Sequence, residues 1–182
     1  MILFFIKIIY FMLPAYFANM APIFFKKHFN FLAVPIDCGK IFYGASLFGK
    51  TKTIRGFVVG ILMAVFVVFL QSFVLMKIAF FNEISLIDYS NINFILLGVL
   101  FGAGALLGDL AESFVKRRIG KNSSESWKVF DQLDYIMGAL LFVSPIIVLK
   151  LSEFVGILIV SLVLTIIINQ VGWLMNLREE RW

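Results

Sequence analysis

The sequence has few charged residues, one cysteine and one histidine, and each scarcity excludes a class of protein or site. Charged residues make up 15% of the 182 residues, against about 25% in a typical soluble domain. Cys38 is the single cysteine, which excludes an internal disulfide and any cysteine-rich metal site. His28 is the single histidine and lies beside Lys26 and Lys27, a setting typical of a surface residue. With one histidine in a basic stretch, the sequence contains neither a nucleophile–histidine pair nor a zinc pattern.

Apolar residues dominate what remains. They make up 62% of the chain, with 22 phenylalanines, and the mean hydropathy is +1.00. One soluble core cannot bury that excess, so the composition predicts an all-α, polytopic membrane protein whose residues 1–182 form a single domain. The first apolar segment lacks a small-residue cleavage site and contains Pro14, Asn19 and Pro22. We therefore interpret it as a retained membrane span and not as a signal peptide.

Five segments are long and apolar enough to cross a membrane. A spanning helix needs about 20 mostly apolar residues to cross about 30 Å of hydrocarbon. The segments are 2–24, 56–79, 92–115, 132–150 and 153–176. The fourth is the weakest of them, because its wholly apolar part after Tyr135 is short. The sequence therefore predicts five transmembrane helices.

The connections between these segments alternate in charge. Residues 25–55 carry six Lys or Arg against the single acid Asp37, whereas residues 80–91 carry only Glu83 and Asp88. Residues 116–131 are again basic, and the tail contains Arg178 and Arg181. Because Lys and Arg concentrate in cytoplasmic loops, we predict that both basic loops and the C-terminus lie in the cytoplasm. The N-terminus is then outside, and the protein is expected in the plasma membrane.

The third predicted span contains two pairs of glycines at a spacing of four, Gly98 with Gly102 and Gly104 with Gly108. Small residues at this spacing let membrane helices approach closely. Close helix packing is therefore the first interpretation, although Gly108 could also let a ligand approach the backbone.

Polar residues cluster where this span ends. In a helix, Asp109, Glu112, Ser113 and Lys116 share one face. Carboxylates near the edge of the hydrocarbon are costly unless they are paired or face a polar cavity, which makes them functional candidates. The alternative interpretation is an internal ion pair of Asp109 or Glu112 with Lys116.

Two more acids, Asp131 and Asp134, share a face at the start of the fourth predicted span. A purely structural interpretation is also open, because acids near a helix N-terminus interact favourably with the helix dipole. That interpretation accounts for one of the two more readily than for both.

The first basic loop combines glycines with hydroxyl and cationic side chains in the stretch 47–56. Backbone amides, hydroxyls and cations all donate to phosphate, although the spacing is not that of a Walker A loop. The alternative is a basic loop that only sets topology. Asp37 does not fit that alternative, since an acid does not serve the positive-inside bias. The candidate phosphate-binding residues are Lys40, Lys50, Thr51, Lys52, Thr53 and Arg55.

Taken together, these motifs resemble the membrane cytidylyltransferases, and closely the CDP-archaeol synthase branch. The segments that carry the resemblance are 16–22, 35–40, 49–56, 108–118 and 130–134, which cover nearly the whole chain in order. The Pro-Gly-His-Gly-Gly element of CDP-diacylglycerol synthases is missing between Lys116 and Asp131, which favours the archaeal branch. Residues 122–126, Asn-Ser-Ser-Glu-Ser, replace a Pro-Gly that is frequent in that branch.

The resemblance implies five transmembrane helices and a Mg²⁺-dependent transfer of CMP from CTP to a lipid phosphate, here the digeranylgeranyl ether of glycerol phosphate. A phosphate monoester is already anionic near neutral pH, so no dedicated base is needed. Asp109 with Asp131 or Asp134 is expected to hold Mg²⁺, and Lys116 to act in catalysis with these acids. The expected partners are CTP, the isoprenoid lipid phosphate and the bilayer, without nucleic acid. The residues expected to bind substrate are Asn19, Asp37, Lys40, Lys50, Thr51, Lys52, Thr53, Arg55, Ser113, Arg117 and Arg118.

Other functions remain open at this point. The acceptor could be phosphatidate, as in CDP-diacylglycerol synthases, or another polyprenyl phosphate. A small phosphate or cation transporter is a different class, and it predicts ionisable residues near the bilayer midplane, often on broken helices in repeated halves. A non-catalytic membrane scaffold would leave the matched acids and basic loops unexplained.

Overall fold

Long apolar helices form the framework of the protein. The computed structural model describes residues 2–25, 28–74, 77–122, 125, 127 and 129–174. The predicted topology signals at Lys26, Lys27, Lys128, Arg178 and Arg181 lie outside these residues. The helices are α1 (Ile2–Phe24), α2 (Ile54–Phe69), α3 (Ala79–Glu83), α4 (Phe94–Arg118), α5 (Phe130–Val143) and α6 (Leu151–Leu174). The predicted all-α class is thus confirmed.

Four helices in the described part of the chain are long and apolar enough to cross a membrane. They are Ile2–Phe24, Ile54–Phe73, Phe94–Arg118 and Leu151–Ile168, and they match the first, second, third and fifth predicted spans. The second of them runs through α2 into a π-helical segment at Leu70–Val74.

The predicted fourth span, 132–150, differs from the structure in its extent. Helix α5 has 14 residues and ends at Val143, so it is about 21 Å long at about 1.5 Å per residue. The prediction of a helix continuing to residue 150 was wrong, because Pro145 has no N–H to donate to the carbonyl oxygen of Leu141. That oxygen accepts the hydroxyl of Ser144 instead, at 2.8 Å. The total of five crossings and the orientation stay predictions.

The first pair of glycines brings α4 against α2. A Cβ atom on Gly98 would lie 2.5 Å from the Cα of Val65, and one on Gly102 would lie 2.8 Å from the Cα of Ile61. Both distances are shorter than a carbon–carbon contact of about 3.5–4.0 Å. The predicted close packing is therefore confirmed at this contact.

The second pair of glycines brings α4 against α5. A Cβ atom on Gly104 would lie 2.6 Å from the carbonyl oxygen of Gly138, and one on Gly108 would overlap the carbonyl oxygen of Asp134. Conversely, a Cβ atom on Gly138 would lie 2.8 Å from the Cα of Gly108. The backbones of α4 and α5 are therefore in direct contact next to the acidic residues of the two helices.

Helix α1 packs across the other helices and completes the core. Phe11 of α1 and Phe101 of α4 are both fully buried, with ring centroids 5.2 Å apart. The hydroxyl groups of Tyr16 and Ser161 lie 2.7 Å apart and connect α1 to α6. These contacts fix α1 against the first half of α4 and against α6.

The loop between α1 and α2 is folded around Asp37. Its carboxylate accepts hydrogen bonds from the backbone N–H groups of Gly39 at 3.0 Å, Phe48 at 3.1 Å and Gly49 at 3.3 Å. Burial raises the pKa of the Asp37 carboxyl, but these amides favour the charged form and together hold the pKa below its usual range. Asp37, the one acid in this basic loop, therefore has a structural role, because its carboxylate holds the folded loop together.

Within this loop, strands β1 (Ile41–Phe42) and β2 (Ala45–Ser46) pair antiparallel, with Ile41 opposite Ser46. We call residues 41–46 the hairpin. After it the chain turns back, and Thr53 caps α2, because its hydroxyl oxygen accepts the N–H of Gly56 at 3.2 Å. Lys52 therefore lies one residue before the residue that caps α2.

Candidate active site

Three carboxylates from two helices converge near the end of α4 and the start of α5. Asp109 and Glu112 are three residues apart on α4, and Asp134 lies in the second turn of α5. One oxygen of each carboxylate lies within 4.8 Å of the others. Carboxylate oxygens are the hard ligands that Mg²⁺ prefers, so the donor set fits a divalent cation. The glycine contact between α4 and α5 holds these carboxylates together.

Asp131, the other predicted metal ligand, is placed differently. Its carboxylate lies 2.7 Å from the Nζ of Lys116 and accepts the backbone N–H of Trp127 at 2.8 Å. Of the two acids on α5, the structure therefore brings Asp134 to Asp109, and it brings Asp131 to Lys116. Glu112 takes the place of Asp131 in the cluster. Sequence analysis did not name Glu112 as a metal ligand, although its position on the same helix face as Asp109 indicated that the two carboxylates are close.

Two lysines neutralise part of this negative charge. The Nζ of Lys52 lies 2.6 Å from both carboxylate oxygens of Asp109. The Nζ of Lys116 lies 3.0 Å from Glu112, one helix turn away, as well as beside Asp131. The internal ion pair considered from the sequence thus exists for Glu112 and Lys116, whereas Asp109 takes its partner from the first loop.

The charged residues surround a polar cavity of about 210 Å³. Four carboxyl groups face three cations in its lining, so ionisation of all four would leave one negative charge in excess. Excess charge of this kind is stabilised by a bound cation. Ser113 is also part of the wall and is almost fully buried. The lining residues are Thr51, Lys52, Asp109, Glu112, Ser113, Lys116, Arg117, Asp131 and Asp134.

A second cavity of about 260 Å³ lies on the other side of the Lys52–Asp109 ion pair. It shares Thr51, Lys52 and Asp109 with the polar cavity, and Asn19 of α1 reaches it as well. The remaining walls are mainly apolar and come from α1, α2 and α4. The ion pair therefore stands between the two cavities.

An apolar groove of about 610 Å³ runs between α4 and α5, and Glu112 and Asp134 are the two acids in its lining. A further apolar pocket of about 560 Å³ between α5 and α6 shares Met137 and Leu141 with it. Sequence reasoning did not place this groove. Its apolar walls thus reach two of the three clustered carboxylates.

Several other predicted residues lie outside the polar cavity. The guanidinium of Arg55 donates to the carbonyl oxygen of His28 and the side chain of Asn30, both at 3.3 Å. Arg118 donates to the carbonyl oxygen of Phe42 at 2.7 Å. With Asp37 and Thr53, these residues shape the first loop. Lys40 and Lys50 are exposed on it.

Arg117 lines the polar cavity, and its guanidinium also donates to the carbonyl oxygen of Lys121. That contact connects the end of α4 to the start of the second basic loop. Of the three consecutive cations at this helix end, Lys116 and Arg117 therefore reach the cavity, and Arg118 turns towards the hairpin.

Comparison with known proteins gives one consistent result. Residues 1–182 match the family described as CDP-archaeol synthase, CarS-like. A CDP-archaeol synthase of Methanococcus maripaludis strain C7 is 32% identical over 175 residues, covering 96% of this chain and 94% of the relative. One from Methanoculleus marisnigri is 34% identical, covering 94% of this chain and 100% of the relative.

A solved structure is similar as well. It is described as an intramembrane enzyme for archaeal membrane lipids biosynthesis, and it superposes with a TM-score of 0.65 at 28% sequence identity. The similarity covers 88% of this chain and 91% of the other. The arrangement of helices is thus shared with a membrane-embedded enzyme.

Proposed function

Because this chain belongs to the CDP-archaeol synthase family, we propose that it transfers CMP from CTP to a membrane lipid phosphate. The acceptor is 2,3-bis-O-(geranylgeranyl)-sn-glycerol 1-phosphate, and the products are CDP-archaeol and pyrophosphate. The P–O bond between the α- and β-phosphates of CTP breaks, and an oxygen of the lipid phosphate forms the new bond to the α-phosphorus.

The main support from this chain's own residues is the contact between a polar cavity and an apolar groove. The polar cavity contains matched acids and cations, and the apolar groove reaches the same acids, Glu112 and Asp134. A reaction between a water-soluble nucleotide and a lipid needs a polar and an apolar compartment in contact. The arrangement supports a site in which the two substrates meet at the carboxylate cluster.

Asp109, Glu112 and Asp134 are the residues proposed to hold Mg²⁺. When bound, the ion supplies charge neutralisation for phosphate oxygens. Asp131 is assigned a different role, because its contacts with Lys116 and with the Trp127 amide orient the lysine and the second basic loop.

The cations are proposed to hold the phosphates of CTP. Positioning two polyanions is the main difficulty of this reaction, so the side chains act by binding and orientation and not by proton transfer. Lys52, Lys116 and Arg117 line the polar cavity together with the hydroxyl groups of Thr51 and Ser113. Lys40 and Lys50, exposed on the first loop, are proposed to attract the nucleotide from solution.

The isoprenoid chains of the acceptor are proposed to occupy the groove between α4 and α5. The lipid phosphate would lie at Glu112 and Asp134, which also line the polar cavity, and Met137 and Leu141 line the apolar part of the groove. Asn19, on the far side of the Lys52–Asp109 pair, is proposed to contact substrate in the second cavity. Asp37, Thr53, Arg55 and Arg118 hold the loop that presents Lys52.

The test is incubation of the purified protein with labelled CTP, Mg²⁺ and a panel of lipid phosphates. We expect a labelled CDP-lipid, with ether-linked isoprenoid acceptors preferred over phosphatidate. Preference for phosphatidate would support the CDP-diacylglycerol alternative. If no acceptor takes label while the folded protein moves phosphate or cations across liposomes, the transporter alternative is correct.

A further inference from the structure

The hairpin of the first loop presents apolar side chains to the outside of the molecule. Ile41 is 73% exposed and Tyr43 is 88% exposed. Phe42, between them, faces α4, where its ring centroid lies 6.3 Å from that of Phe114. Ile41 and Tyr43 are therefore the two most exposed large apolar side chains of the hairpin, and we call them its outward apolar face.

The turn of the hairpin contains a tyrosine, Tyr43, in a conformation that is unusual for a bulky residue. Tyr43 has a φ of 48° and Gly44 a φ of 75°, the left-handed pair of angles that a two-residue hairpin turn requires. Glycine or asparagine adopts this conformation readily, but a bulky side chain there is an outlier. The turn itself therefore does not explain a tyrosine at this position. The Tyr43 ring contacts that of Phe42, with centroids 4.5 Å apart, but most of the side chain stays exposed, which points to a contact outside the chain.

The position of the hairpin indicates what that contact is. Arg118, the last residue of α4, donates to the carbonyl oxygen of Phe42 at 2.7 Å. Its guanidinium also lies 4.7 Å from the ring centroid of Phe114, one turn before the end of the same spanning helix. The hairpin thus lies beside the last turn of α4, whose three consecutive cations are typical of the bilayer surface.

We propose that the tip of the hairpin, Ile41–Gly44, is an interfacial anchor that inserts Ile41 and Tyr43 into the headgroup region of the surrounding bilayer. Tyrosine is enriched at this depth because one end of its side chain is apolar and the other polar. The exposed Lys40 and Lys50 on either side complement anionic headgroups. This contact ties the loop that carries Lys52 to the membrane surface, and it does not depend on the reaction proposed above.

The anchor can be tested by measuring depth in the bilayer with an environment-sensitive fluorophore. Because Cys38 is the single cysteine, the variant Cys38→Ser with Tyr43→Cys accepts one NBD label at the tip. The matched control is Cys38→Ser with Lys50→Cys, which labels an exposed position of the same loop. Both full-length proteins are reconstituted into phosphatidylcholine vesicles containing phosphatidylglycerol, with or without a doxyl group near the lipid headgroup.

We expect the label at position 43 to emit at shorter wavelength than the label at position 50. Doxyl lipid should quench it at least about twofold more strongly, as for a group that inserts about 5–10 Å into the interface. Adding Ile41→Ser should reduce the quenching at position 43, since half of the outward apolar face is then removed.

Two results would overturn the proposal. Absence of doxyl quenching at position 43 would place the tip in water. Protection at position 43 that disappears on dilution of the protein in lipid would show that a second copy of the chain, and not the bilayer, covers the hairpin.

Discussion

At the scale of single residues, Asp109 and Lys52 neutralise each other, with the lysine Nζ 2.6 Å from a carboxylate oxygen. A divalent cation at the carboxylate cluster competes with the lysine for the same oxygens. We therefore expect Lys52 to be the counter-ion of Asp109 before substrates bind and a phosphate ligand afterwards.

This expectation predicts opposite effects of one substitution on the two ligands. Lys52→Gln should bind Mn²⁺ at least about tenfold more tightly without CTP, about 1.4 kcal/mol, because the competing ammonium is gone. It should bind CTP more weakly. Mn²⁺ titration by electron paramagnetic resonance measures the first effect, and Lys50→Gln, two residues away and exposed, is the control. Unchanged Mn²⁺ affinity in Lys52→Gln would contradict the competition.

Asp109 itself should be indispensable for turnover. Asp109→Asn keeps the size of the side chain but removes the charge that a metal ligand needs. Turnover should fall by at least about 10²-fold, about 2.7 kcal/mol of transition-state stabilisation, and excess Mg²⁺ or Mn²⁺ should restore part of it. Steady-state kinetics in detergent micelles measure the loss, with folding checked by size-exclusion chromatography. A well-folded Asp109→Asn enzyme with near-normal turnover would remove this residue from the metal site.

Lys116→Gln should differ from Asp109→Asn in its response to added metal. Lys116 lies between Glu112 and Asp131, so its loss leaves two poorly solvated carboxylates without their cation. We expect a raised apparent KM for CTP that added metal does not correct.

At the scale of elements, the contact between α4 and α5 determines where the acids stand. Gly138→Ala adds a methyl group that would lie 2.8 Å from the Cα of Gly108 and closer still to the carbonyl of Gly104. The helices must separate, and with them the carboxylates they carry. We expect a loss of stability of about 1–3 kcal/mol, typical of overpacking, measured as thermal unfolding in detergent, together with loss of CMP transfer.

The control for this prediction is Gly56→Ala. The added Cβ there meets no backbone, and its nearest neighbour is the ring of Pro22 at 3.2 Å. Alanine is favoured over glycine in helices by about 1 kcal/mol, so this variant should be much less affected than Gly138→Ala. Equal destabilisation of the two variants would show that the α4–α5 contact has no special role.

Sequence reasoning succeeded where spacing along one helix determines proximity. Helical periodicity alone predicted that Asp109, Glu112 and Lys116 share a face, and the spacing of the glycines predicted close packing of α4. The partner of Asp109 could not be predicted, since Lys52 is 57 residues away and reaches it only through the fold of the first loop. Nor could local spacing decide between Asp131 and Asp134, because both are on the same short helix and only the glycine contact selects Asp134.

Lone polar residues in the loop were harder to interpret than those in helices. Composition indicated that Asp37 was unusual in a basic loop, but its three amide partners, at residues 39, 48 and 49, meet only after the chain has folded back. Similarly, the apolar run after Tyr135 concealed the end of α5, because hydropathy does not register the effect of Pro145 on the backbone.

At the scale of the whole molecule, orientation in the membrane decides whether the polar cavity can meet cytosolic CTP. Cys38 is exposed in the predicted cytoplasmic loop. We expect it to be protected from a membrane-impermeant maleimide in intact cells and to react after permeabilisation. Cys38→Ser with Glu83→Cys, an exposed site in the opposite connection, should show the reverse pattern. Labelling of Cys38 from outside would overturn the orientation.

The meeting of the polar cavity and the apolar groove at Glu112 and Asp134 has a further consequence for the proposed reaction. The two products part into different phases, since pyrophosphate dissolves in a three-dimensional volume and CDP-archaeol diffuses within a two-dimensional sheet. Accumulated lipid product is diluted only by membrane area, so inhibition by it should follow the surface density in the bilayer and not the bulk concentration. An increase in membrane area would therefore lower the surface density of CDP-archaeol and reduce its inhibition of the enzyme.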